Sequence, residues 1–326
     1  TIIPFAGGKG GIGKTLLAAN VAATLAYVGF RSVAIDLDLG GSNLHFQLGM
    51  QNRYAGIGDY LRSKRGNLQE YLVNTGIENL SFIPGDGRTP FMANISVSEK
   101  ARLMESIARL PADFVILDLG AGSSFNTLDF FRLAGKGIVV MTPEPTAIMN
   151  LMTFCKNLLY RAVSIEARKS EKVEEAFRAF VEKPIEEQGA RLEDFFTSIA
   201  SLDRGILIQM KKSCERIKPR LVFNRGTHPG QLDFLASVEK LLRERLSLSL
   251  ECLAFVFDDK DVQRAVASRR LLVENYPSSL AAKSMVRLAK RITQLWDESI
   301  VNSRLRLIKD TRRFYATAVK TPPKPS

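Results

Sequence analysis

The sequence predicts an α/β fold: a doubly wound, mostly parallel sheet flanked by helices. Three observations carry that reading. Short β-branched apolar runs recur with helical stretches between them. Several of those runs are apolar without alternation, as strands buried on both faces are. A glycine-rich turn joins the first run to the first helical stretch, the arrangement of a nucleotide-binding α/β unit. At 326 residues, 45% hydrophobic and 25% charged, the chain suffices for one large domain with additions or for two domains.

The first predicted strand is Ile2 to Ala6. In the following "KTLLAANVAATLAYVG", Leu17, Val21, Leu25 and Val28 keep helical spacing until Gly29 ends the run. Further strands are predicted at Val33 to Leu37, Leu80 to Pro84, Phe114 to Leu117, Ile138 to Thr142 and Leu221 to Phe223. The connection from Pro143 to Pro219 is 77 residues long, whereas a crossover unit with one helix needs only about 30. The excess reads as a helical insertion over about 166–218. Its apolar faces are Val173, Ala176, Phe177 and Phe180; then Leu192, Phe195, Phe196 and Ile199; then Leu207, Met210, Cys214 and Ile217.

From Ser278 to Val319 the pattern is helical, and too long for one helix wrapped on a domain of this size, so it is predicted to divide. Leu288, Ile292, Leu295 and Trp296 close the core. "SRLRLIKDTRRFYATAV" continues as a basic amphipathic helix with Leu305, Ile308 and Tyr315 roughly aligned, and "KTPPKPS" has the composition of a disordered end. The expected organisation is a domain over 1–298, a basic helix over 299–319 and a disordered tail over 320–326.

The net charge of +12 is uneven: from Arg264 to Ser326, 14 Lys and Arg face 4 Asp and Glu. That asymmetry predicts an acidic partner, nucleic acid or an anionic lipid surface. A solvated helix face is the alternative. No run approaches the ~18 to 20 apolar residues of a spanning helix. Cys155, Cys214 and Cys252 form no C-x-x-C pair, which predicts neither a disulfide framework nor a cysteine metal site and suits a reducing cytoplasm.

"GGKGGIGKT", Gly7 to Thr15, carries the chemistry. Gly8, Gly13, Lys14 and Thr15 satisfy G-x-x-x-x-G-K-[ST] between a strand and a helix. Phosphate oxygens need several donors converging at short range, and only glycines let the backbone turn tightly enough to aim successive N–H groups inward. The candidate binding residues are Gly8, Gly10, Gly11, Ile12, Gly13, Lys14, Thr15 and Leu16. The helix start adds its positive end, Lys14 neutralises phosphate oxygens, and the Thr15 hydroxyl is the candidate ligand for Mg²⁺.

A second lysine, Lys9, makes "KGGIGKT" resemble the deviant Walker A motif of the MinD and ParA family of P-loop ATPases. The resemblance implies that Lys9 reaches across an ATP-bound homodimer to the partner's phosphates; a contact within its own site is the alternative. "AIDLDLGGSNLH" resembles the family's switch I, which puts Asp36 near the metal and Asp38 beside the attacking water, although both could instead cap the turn. Lys9, Lys14 and Asp38 are thus the implied catalytic residues.

"FVILDLGAG" is similar to the Walker B and switch II segment, with Asp118 near Mg²⁺ and the Gly122 N–H toward the γ-phosphate. "LVFNRG" resembles the base-recognition corner, with Asn224 and Arg225 against the adenine; an asparagine after a strand is also a routine turn former. Phe257 stands where the family usually has proline. "DLDLGGSNLHFQLGM" and "TPEPTAI" look closer to the FlhG (FleN) branch than to plasmid partition proteins. Nitrogenase-type reductases share the loop, but neither Cys155 nor Cys214 falls where a cluster would bind.

The implied function is an ATP-dependent dimerising switch that hydrolyses ATP to ADP and phosphate and controls the position or number of a cellular structure. The alternatives are a DNA-partitioning ATPase and a nucleotide-gated scaffold with little turnover. ATP and Mg²⁺ are the expected cofactors. The expected partners are a second copy, an activator or landmark protein, and an anionic membrane surface at the inner face of the cell membrane, or non-specific DNA.

Overall fold

The computed structural model describes residues 1–63, 66–85, 95–182 and 192–320. Its sheet has eight strands: β1 (Ile2–Ala6), β2 (Ser32–Leu37), β3 (Val73–Asn74), β4 (Leu80–Ile83), β5 (Phe114–Leu119), β6 (Lys136–Met141), β7 (Lys218–Gly226) and β8 (Glu251–Phe257). The order is β3-β4-β2-β5-β1-β6-β7-β8, parallel throughout except for the short β3 against β4. Five of six expected strands lie inside the sheet's centre because their residues are buried on both faces. β8 was not foreseen, and neither was β3.

β1 pairs with β5 on one side and β6 on the other, so the chain changes direction at its C-terminal end. In open α/β sheets such a switch point opens a crevice for ligands. The turn leaving β1 there is the glycine-rich one, and it leads into α1 (Lys14–Tyr27). Twelve of the fourteen α1 residues are buried, small alanines allowing it to lie close on the sheet.

On the same face as α1 lie α2 (Leu44–Gln47), α11 (Lys260–Ala267), α12 (Leu272–Asn275) and α13 (Leu280–Leu295). α3 (Ile57–Arg62), α4 (Val97–Ala108), α5 (Phe125–Leu133), α6 (Ala147–Ala167) and α10 (Leu235–Leu246) cover the other. The long connection holds α6, α7 (Glu171–Val181), α8 (Leu192–Ile199) and α9 (Arg204–Glu215). Phe177 and Phe180 pack ring to ring with Tyr160 of α6 on one side and with Phe195 of α8 on the other, which anchors the added helices to the domain.

The C-terminal pattern divides, at Leu295, into α13 and α14 (Ser303–Lys320). Leu288, Ile292 and Trp296 are buried against the sheet. In α14 the stripe that meets the protein is Ser303, Leu307 and Thr311, continued by Phe314 and Tyr315, while Leu305 is 56% exposed. This corrects the expected alignment at Leu305 alone, since Ile308 and Tyr315 pack against the fold: the helix turns its apolar side onto Phe257 of β8, with Tyr315 stacked on that ring. α13 and α14 cover opposite faces of β8 and meet through Arg291 and Asp310 and through Arg287 over Phe314. Of residues 320–326, expected as a disordered end, Lys320 ends α14 and 321–326 lie outside the described residues.

Candidate functional site

The glycines of the turn are forced by space and by backbone. Gly11 and Gly13 take φ of +74° and +90°, the left-handed region open to glycine. A Cβ on Gly8 would sit 2.4 Å from the Asn150 carbonyl oxygen of α6, and one on Gly13 would sit 2.4 Å from the Asn224 amide nitrogen. Ile12 anchors the turn by burying its side chain, and Leu16 is buried one turn into α1. No acidic residue occupies the first turn of α1, so the positive end of that helix faces the site without competition.

Lys14 is only 7% exposed, and burial lowers its pKa while the charges of Asp118 and Asp38 pull the other way. Those carboxylates come from neighbouring strands. Asp36 and Asp118 are register partners on β2 and β5, so two acids lie side by side in the interior. Burial raises the Asp36 pKa from 3.8 to about 6, and burial together with the Asp36 charge raises that of Asp118 well above its ordinary value.

The two acids differ in their bonds. Asp36 Oδ1 accepts from the Asp38 N–H at 3.1 Å, and Oδ2 accepts from the Leu44 N–H at 2.9 Å. Its carboxylate therefore holds the 36–44 loop and the start of α2. Neither oxygen of Asp118 accepts a hydrogen bond among the described residues, although the nearby Thr15 hydroxyl favours its charged form. Asp38 approaches switch II: a Cβ on Gly120 would lie 3.0 Å from its Oδ1.

A buried carboxylate without a donor suits a cation, so Mg²⁺ fits at Asp118 and Thr15. Among the described residues no group of three His, Cys, Asp or Glu side chains is placed to hold a metal ion. Mg²⁺ would then take most of its ligands from phosphate and water, as that ion commonly does.

Three expected contacts are differently engaged. Lys9 Nζ pairs with Glu144 Oε2 of its own chain at 2.8 Å, both side chains about half exposed. The Gly122 N–H donates to the Gly7 carbonyl at 3.0 Å. Asn224 Nδ2 donates to the Ile12 carbonyl at 2.8 Å, so the buried asparagine braces the glycine turn with one of its two amide hydrogens. Arg225 stands exposed at the same corner with φ of +60°.

Glu144 and Asn150 went unnoticed as members of the site. "TPEPTAI" contains the glutamate, but nothing local shows that it reaches Lys9, 135 residues earlier. The cysteines take no part: burial pushes each thiol up to about 12.

Residues 3–273 match the family described as the CobQ/CobB/MinD/ParA nucleotide binding domain. The chain is 30% identical over 159 residues to the antiactivator FleN of Pseudomonas aeruginosa, covering 48% of this chain and 56% of the relative. It is 31% identical over 148 residues to the septum site-determining protein MinD of Helicobacter pylori, covering 45% and 54%. The chain thus spans about half the length of these curated relatives. The structure of MinD from Pyrococcus horikoshii complexed with Mg-ADP aligns over 90% of this chain and 96% of that one, with a TM-score of 0.56 at 19% identity, a likeness of fold.

Proposed function

The chain belongs to the CobQ/CobB/MinD/ParA nucleotide-binding family, and on that premise we propose that it is a switch ATPase: ATP binding joins two copies, and slow hydrolysis releases them. The observation that carries the reading is Asp118, a buried carboxylate left without a donor beside Lys14 and the glycine turn. Bound Mg²⁺ would neutralise phosphate charge between Asp118 and Thr15. The chain's own groups do the rest. Turn N–H groups and Lys14 hold the triphosphate, Asp38 orients water at the mouth of switch II, and the packed sheet behind Asp118 excludes bulk solvent.

The names of the relatives, an antiactivator and a septum site-determining protein, favour control of the position or number of a cellular structure, close to the FlhG branch. The structure bears on how such a protein would reach a surface. α14 spends its apolar side on β8, so a membrane contact by the docked helix would rest on charge. Exposed Lys283, Arg287 and Lys290 of α13 and Arg306, Lys309 and Arg313 of α14 offer that charge. Arg304 and Arg312 are instead paired with Glu239 and Asp233. Among the described residues no helix is long and apolar enough to cross a membrane.

Two variants test the reading. Lys14→Ala should weaken Mg-ATP binding at least about a hundredfold by calorimetry, losing both a charge-assisted contact and the neutralisation of Asp118. Asp38→Ala should bind ATP and remain a dimer in light scattering, because hydrolysis no longer resets it. Equal monomer fractions for wild type and Asp38→Ala in ATP would defeat the switch. Phosphate release, liposome sedimentation and gel shift on the same protein separate a membrane switch, a DNA-bound switch and a scaffold without turnover.

A further inference from the structure

Lys9 is occupied, and the way it is occupied is built into the backbone. Its acceptor, Glu144, lies at the entry to α6, where its carbonyl receives the Ala147 N–H at 2.9 Å. One turn later the Asn150 carbonyl stands where a Cβ on Gly8 would be 2.4 Å away. The lysine and its acceptor therefore ride on two pieces of main chain in direct contact. Lys9, first by its hydrogen bond and then by its charge, holds the Glu144 carboxyl below its usual range, and the Arg225 charge contributes in the same direction. Three loops, after β1, β6 and β7, thus bring one acid and two bases together at the mouth of the site.

A second donor is engaged in the same way, since the Gly122 N–H bonds the Gly7 carbonyl. Both groups that the family resemblance assigns to phosphate are satisfied within one chain. Resting on the dimerising reading above, we propose that Glu144 is a positioning residue that parks Lys9 on its own subunit, and that the dimer forms by exchanging this carboxylate for phosphate oxygens of the partner's nucleotide. The exchange is feasible because the pair is half exposed, and exposed ion pairs are weak and readily broken. It is directional because a triphosphate presents several negative charges where Glu144 presents one.

The test is sedimentation velocity in Mg-ATP on wild type, Glu144→Gln and Glu144→Asp, with NMR of the Lys9 side-chain amine in the nucleotide-free monomer. Glu144→Gln should tighten the dimer by about two- to fivefold, the scale of a surface ion pair. Glu144→Asp, which keeps the charge, should stay within about twofold of wild type, and the glutamine variant should shift the Lys9 signal. An unchanged or weaker Glu144→Gln dimer, or an unmoved Lys9 signal, overturns the parking role while leaving the switch intact. A wild type that binds Mg-ATP and stays monomeric overturns the switch itself, and the exchange with it.

Discussion

Two buried charges, Asp118 on β5 and Arg220 on β7, sit in the same sheet with β1 and β6 between them, and the protein treats them in opposite ways. Arg220, near the start of β7, is 0% exposed, yet each guanidinium nitrogen has a partner. Nε donates to Glu251 at 2.8 Å, Nη1 to the Leu295 carbonyl at 3.0 Å and Nη2 to the Glu298 carbonyl at 2.6 Å, with Trp296 beneath the plane at 4.9 Å. Asp118, at the end of β5, has no donor among the described residues and another carboxylate beside it. A buried charge that is fully partnered ties elements together, here the end of α13 to β7 and β8. One left unpartnered is tolerated only where something arrives to compensate it.

The largest expected effect breaks the partnered charge. Arg220→Ala strips Glu251 of its cation and two carbonyls of their donor, which should cost about 3 to 5 kcal/mol in urea denaturation of the nucleotide-free chain. Asp118→Asn keeps the shape and removes a buried charge that the fold penalises by burial and by the neighbouring Asp36, so the same measurement should find it neutral or stabilising. Were Asp118→Asn the more damaging of the two, the contrast would be wrong and Asp118 would be structural.

The pH dependence sharpens the contrast. A carboxyl whose folded pKa is raised binds a proton in the native state that the unfolded chain has already released. Asp36, moved from 3.8 to about 6, therefore stabilises the nucleotide-free fold at low pH and loses that contribution as pH rises from about 4 through about 6. Asp118 acts in the same sense over a wider range. Asp36 alone should lower stability by an amount on the order of 2 kcal/mol between pH 4 and pH 7, and Asp118 adds to the fall in the same direction. Asp129 has the opposite sign. Burial works against its charge, but bonds from Arg161 and Lys100 outweigh that and lower its pKa, so its contribution is present above the ordinary Asp value and lost as acid is added. Chemical denaturation across pH should show Asp118→Asn flattening the fall toward neutrality and Asp129→Asn flattening the acid side. Identical profiles for the two variants would erase the distinction.

What could be read in the sequence follows the same division between local and distant causes. The glycine turn, the strands ending in Asp36 and Asp118, and the three apolar faces of the added helices announce themselves because spacing and backbone freedom are local matters. β8 did not, because "ECLAFVF" is an apolar run whose identity as a strand depends on α13 and α14 covering its two faces. The hydrogen bonds that engage Asn224, Gly122 and Lys9 join residues more than a hundred positions apart. Residue type shows that such groups need a partner, but only the fold decides which partner is within reach.

The smallest expected effect concerns the edge of the sheet. Tyr315 stacks on Phe257 with centroids 5.6 Å apart and planes at 16°, and meets the His228 ring edge-on at 5.2 Å. Tyr315→Ala should cost about 1 kcal/mol and speed hydrogen exchange along α14 while sparing β1 and β5, because a partly buried aromatic pair contributes on that scale. Leu305→Ala, on the exposed side, should change neither stability nor exchange, since that side chain gives up little contact with the fold. The pair also decides how the basic helix meets a surface. If α14 acts while docked, Leu305→Ala leaves liposome sedimentation intact and loss of Lys309 and Arg313 weakens it. If both apolar substitutions weaken sedimentation equally, the helix must leave Phe257 to bind, and the edge of the sheet would join the switch.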